Sequence, residues 1–135
     1  MLQITEQLNS TVSRFLRSIS DVDCDTLFGL ATPNIQIDVP GARYVDITAS
    51  TEGFEALCEW ARTVRRECGR TTFVMRRYFE NGSELMASGS IQIERLPRTF
   101  ESACSVYVRT EAGRIATFQL LLDTYALQKF RGELD

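Results

Sequence analysis

The stretch Asn34-Ile35-Gln36-Ile37-Asp38-Val39-Pro40-Gly41 decides the reading of this chain. Residues 35–39 read as a short strand, and Pro40-Gly41 as the turn that ends it. Asp38 is a carboxylate at the end of that apolar strand. Helical patterns precede it, one more helix follows it, and the remainder reads almost wholly as strand. Such a layout suggests a sheet curled around a pocket, with Asp38 a candidate to look into it.

Working outward, Leu8, Val12, Phe15, Leu16 and Ile19 follow helical spacing, with Thr5 as the N-cap. Asp21-Val22-Asp23 breaks this helix and caps a short second one carrying Leu27, Phe28 and Leu30, which Pro33 ends. Residues 42–50 read as a loop, or as a weak strand around Tyr44 to Ile47. Ser50-Thr51 is the expected cap of a third helix carrying Phe54, Leu57, Ala61 and Val64, with Trp60 beside that stripe and Gly69 as the stop.

From Thr71 the period changes. Strands are expected over 71–80, 84–95, 99–110 and 114–122. Asn81-Gly82 is a hairpin signal, because both turn positions need positive φ. Asp123 caps a last short helix over 124–130. The order is α-α-β-α followed by an antiparallel run, an α+β domain with helices on one face of a sheet. Strands this long favour strong curvature. Helices across the open side of a curved sheet leave a conical cavity, a common ligand site.

Composition narrows the function. The 135 residues fit one domain, 1–135, with a core. A net charge of −3 gives no basic footprint for nucleic acid. No apolar run reaches the length of a membrane span, and the first residues lack the blocks of a signal peptide, so the expected location is the cytoplasm. Cys24, Cys58, Cys68 and Cys104 have no metal-ligand spacing and are expected as free, buried thiols. There is no histidine, which excludes Ser-His-Asp and Cys-His chemistry and His-ligated metal sites. Lys129 is the single lysine, on the C-terminal helix, a poor place for a Schiff base. No metal and no cofactor are expected.

Three motifs in order resemble the SnoaL-like branch of the nuclear transport factor 2-like (NTF2-like) superfamily. Asp23-Cys24-Asp25-Thr26-Leu27 followed by Ile35–Gly41 is similar to its second helix and first strand. Gly53-Phe54-Glu55-Ala56-Leu57-Cys58-Glu59-Trp60 is similar to its Gly-x-x-Ala-Ile helix start. Gly113–Asp123 is similar to its last strand, which runs into an Asp before the tail helix. The resemblance implies a cone-shaped barrel, a curved antiparallel sheet with three main helices covering a pocket. It also implies a homodimer packed through the sheet and a small apolar or amphipathic ligand.

The resemblance leaves the chemistry open. A ketosteroid isomerase needs a base, a Tyr and a protonated Asp. Here the Tyr position is Phe15, the Asp position falls at or beside Ser105 with Cys104 next to it, and the base falls one residue past Asp38, at Val39. A limonene epoxide hydrolase carboxylate falls at Leu120. Cyclase members, which rely on a pocket carboxylate and shape, fit best among the enzymes.

Two function classes remain. One is a cofactor-independent cyclase, isomerase or dehydratase with Asp38 as acid or base. The other is a non-catalytic binding or dimerisation module whose pocket is lined by Phe15, Trp60, Phe118 and Leu120. Asp38 also has a bland reading, a strand-end carboxylate holding nearby backbone N–H groups. The four apolar residues have one too, since pocket wall and core are the same surface in this architecture. Arg62, Arg65 and Arg66, followed by Arg70, Arg76 and Arg77, fit either a solvated face with glutamate partners or an anion site at the cone's mouth. Thr117, Gln119 and Leu121 form the mixed face expected to meet a second copy.

Overall fold

A computed structural model describes residues 10–40 and 49–134. Thr5, Leu8, Gly41 and the segment Tyr44–Ile47, all used in the sequence reading, lie outside them. The elements are α1 (Ser10–Asp21), α2 (Cys24–Leu30), β1 (Ala31–Val39), β2 (Ala49–Glu52), α3 (Phe54–Glu67), β3 (Arg70–Asn81), β4 (Glu84–Arg95), β5 (Arg98–Glu111), β6 (Arg114–Leu122) and α4 (Thr124–Leu134). The sheet is curved and six-stranded, in the order β2-β1-β6-β5-β4-β3. This is the expected α+β cone, with one difference. β1 runs parallel to β6, so the sheet is mixed; all other pairings are antiparallel.

Local chemistry explains most boundaries. Asp23 caps α2, accepting from the Thr26 N–H at 3.2 Å and the Thr26 hydroxyl at 2.7 Å. Asp123 caps α4 through the Ala126 N–H at 2.9 Å. Gly69, at φ +127°, ends α3, and its N–H reaches the Val64 carbonyl at 3.2 Å.

Three expectations are corrected. Pro33 does not end α2; it sits inside β1, where the register with β6 shifts between Ala31 and Gln36 and so spares its missing N–H. Ser50-Thr51 do not cap α3 but belong to β2, and the N-cap is Gly53, which has no side chain to offer. The first hairpin loop is Gly82-Ser83, one residue later than expected. Asn81 pairs with Glu84, and Gly82 alone takes the positive φ, +62°.

The helices cover one face of the sheet. Val12, Phe15, Leu16 and Ile19 of α1 and Leu57, Trp60, Ala61 and Val64 of α3 join Ile35, Ile37, Ile93, Val106 and Phe118 in one core, with Leu127 and Phe130 of α4 at its end. We call this face inner. The outer face carries exposed Phe79, Met86 and Leu121.

Candidate functional site

Asp38 and the four apolar candidates lie on opposite sides of the sheet. In β1, Ile35, Ile37 and Val39 are buried, whereas Gln36 is exposed and Asp38 half-buried. Successive strand side chains alternate between faces, so Asp38 points away from the helices. The register agrees. Ile37 stands beside Phe118, and Asp38 beside Gln119. Gln119 Nε2 donates to Asp38 Oδ2 at 2.9 Å.

This contact belongs to a polar row across the outer face. Gln119 stands opposite Tyr107, and Tyr107 opposite Met86. The Tyr107 hydroxyl donates to Glu84 Oε2 at 2.7 Å, and that bond raises the phenol above its ordinary value. Gln36 Nε2 likewise donates to Glu52 Oε2 at 2.8 Å. Here Asp38 is a strand-end carboxylate held by a side-chain amide.

Phe15, Trp60, Phe118 and Leu120 do come together, on the inner face. The ring centroids of Phe15 and Phe118 are 5.2 Å apart at 67°, and those of Trp60 and Phe118 are 5.8 Å apart at 57°. Phe15 and Phe118 are fully buried, with Leu120 and Trp60 nearly so. Offset and edge-on stacking at this separation is how aromatic side chains fill a core.

Polar groups are sparse inside. Cys104 faces inward, opposite Leu122 in β6, and burial pushes its thiol up to about 12. Cys58 is also pushed up to about 12, by burial first and then by a hydrogen bond with Cys24. Both therefore stay protonated at neutral pH. Ser105 falls on the outer face. Among the described residues, no group of three or more His, Cys, Asp or Glu side chains is placed to hold a metal ion.

The arginines divide. Arg62 and Arg66 pair with Glu59 and Glu67, at 3.7 and 3.4 Å, on the exposed side of α3. Arg65 Nη1 donates to the Ser20 carbonyl at 3.0 Å, closing the end of α1. Arg76 sits at a bulge in β3 and donates to Ser90 Oγ at 3.2 Å.

A cavity that the sequence reading missed lies between α1 and the edge strand β3. Its volume is about 260 Å³. Ser13, Leu16, Arg17 and Ser20 line one wall; they are spaced three and four residues apart and share a helix face. Arg70, Thr72, Phe73 and Met75 line the other. Asp21 closes the rim through Arg70, at 3.7 Å. This face of α1 adjoins, but is not, the one that carries Phe15 into the core. A wider trough of about 650 Å³ opens on the outer face over Ser88, Ala103, Ser105 and Leu121, with Arg76 and Arg77 beside it.

Solved structures share this architecture. An NTF2-like protein of unknown function from Burkholderia pseudomallei superposes with a TM-score of 0.78 at 17% identity, covering 88% of this chain and 92% of its own. TerC, co-crystallized with polyporic acid, gives 0.79 at 14% identity over 90% and 95%. An epoxide hydrolase from M. tuberculosis of the LEH-like kind gives 0.68 at 16% over 88% and 80%. No protein-family model matches the sequence, and no curated protein does. The likeness is one of fold, and it agrees with the motifs read along the chain: this protein has the NTF2-like fold, the fold of the SnoaL-like proteins.

Proposed function

We propose that this protein binds a small amphipathic molecule without using Asp38 as a catalytic acid or base, and that it acts as a pair of chains joined through the outer sheet face. One observation carries the first part. Asp38 is separated by the sheet from the Phe15–Trp60–Phe118 cluster, and its carboxylate already accepts from Gln119. A base must reach its proton directly or through one water, and a residue on the far face of the sheet does not reach a ligand on the near face.

Small-molecule binding is supported by the α1–β3 cavity and by the ligand seen with TerC. The LEH-like hydrolase shows that the fold also hosts catalysis, so the distinction rests on this chain's own residues. Pairing is supported by Phe79, Met86 and Leu121, each 45–61% exposed on one face beside Tyr107. Exposed large apolar side chains gathered on one face mark an interaction surface. The free thiols support placement in the reducing cytoplasm.

The test is Asp38→Asn, which keeps the shape and the contact with Gln119. A thermal-shift screen of single-ring and polycyclic compounds should give the same hits for both proteins, with stabilisation equal within error. A compound that the wild type converts and the variant does not would overturn the binding reading. For the pair, sedimentation of the wild type at micromolar concentration should report a dimer, and Leu121→Arg a monomer. A monomeric wild type sinks that part.

A further inference from the structure

We infer that the cavity between α1 and β3 takes a single-ring carboxylate, with Arg17 as the residue that holds its charge. This rests on the binding reading above and adds the chemical class of the ligand.

Size comes first. At about 260 Å³ the cavity is smaller than the roughly 300–1,000 Å³ of drug-sized sites. It has room for one ring with a short arm.

The lining comes second. Leu16 and Met75 are buried and form an apolar floor, and Phe73 is a half-buried wall against which a ring can stack. Ser13 and Thr72 complete the lining.

Charge decides the rest. The chain as a whole is negative, yet two arginines and one aspartate meet at this cavity. Arg70 is engaged by Asp21 at 3.7 Å. Arg17 is exposed and has no ion pair or hydrogen bond to another described residue, so one positive charge is left over at the rim. A guanidinium presents paired donors that match a carboxylate.

The end of α1 would ordinarily repel an anion, because its last carbonyls carry the negative pole of the helix. Here three of the last four are occupied. The Asp23 N–H donates to the Ser18 carbonyl at 2.9 Å, the Val22 N–H to that of Ile19 at 3.1 Å and Arg65 to that of Ser20 at 3.0 Å. The protein's own donors thus offset much of this pole, and Arg17 adds its positive charge at the rim.

Phenylacetate and its neutral isostere phenylacetamide serve as probes, titrated calorimetrically into the full chain at neutral pH and low salt. Phenylacetate should bind the wild type more tightly than the amide does. Arg17→Gln should weaken phenylacetate about ten-fold, the scale of one charge-assisted hydrogen bond, and leave the amide unchanged. Because Arg17 is exposed, the variant should melt with the wild type. Amide-proton shifts should map to residues 13–20 and 70–75. If acid and amide bind alike and Arg17→Gln alters neither, the carboxylate inference is wrong while the binding reading stands. If the shifts map instead to the trough over Ser88 and Ser105, the location is wrong. If neither probe binds, the carboxylate inference is wrong, and the compound screen decides the binding reading by itself.

Discussion

Replacing Phe118 with alanine tests whether the inner face is a packed core or an open cup. Phe118 is 0% exposed and sits on β6, with β1 on one side and β5 on the other. Its ring meets Phe15 at 5.2 Å and Trp60 at 5.8 Å. A central strand cannot move inward to close the gap, so the cavity persists. Phe→Ala in such a site costs about 3–5 kcal/mol, and the loss of two aromatic neighbours puts the expectation in the upper half, about 4–5 kcal/mol. If the ring instead bordered an open ligand cavity, only its transfer term would be lost, about 2 kcal/mol. The two cases are separable by urea titration. Trp60 is the single tryptophan and touches the deleted ring, so its fluorescence reports both the transition and the local change. The expected result is a lowered midpoint at unchanged slope, with red-shifted native emission. A loss below about 2 kcal/mol at unchanged slope would refute the packed interior.

Further outcomes follow from single contacts. Gly89→Ala drives a Cβ into the Val74 carbonyl oxygen and to 2.8 Å from Met75 Cα, both backbone, and should cost about 1–3 kcal/mol. Gly29→Ala in α2 meets nothing within 4 Å and should stabilise by up to about 1 kcal/mol; equal midpoints for the two variants would contradict this account. Cys58 and Cys104 are raised from 9.0 to about 12 in the folded chain, so their contribution to stability is complete below pH 9 and disappears as pH rises toward 12. A Cys58→Ala, Cys104→Ala variant should therefore show a shallower fall in stability across that window than the wild type, and parallel curves would refute it.

What could be read from the chain follows from which information is local. The alternation in β6, with Ala116, Phe118, Leu120 and Leu122 on one side, is a local pattern, and it named the inner face correctly. Asp23 and Asp123 announce their helices because a cap is a contact three residues long. β2 has no such signature: four residues without an apolar pattern become a strand because β1 offers them an edge. The side of Asp38 was within reach of the same alternation. Ile35, Ile37 and Val39 share a parity, and burying three apolar side chains outweighs turning one carboxylate inward. The α1–β3 cavity was out of reach. Ser13, Arg17 and Thr72 become neighbours only through the spacing of a helix from a strand more than fifty residues away, which no local pattern encodes.

The parallel pairing of β1 with β6 has a consequence for how the chain is made. Asp38 and Gln119 are 81 residues apart, with every other long strand between them. A ribosome adding roughly 5–20 residues per second delivers β6 some 4–16 s after β1. Throughout that interval β1 is paired along one edge only, by the four-residue β2, while β3, β4 and β5 can already zip together as hairpins. Synthesis thus builds the far half of the sheet first and leaves the near half waiting for the last strand. During this wait the unpaired backbone edge of β1 is open to a chaperone or to a strand of a neighbouring nascent chain.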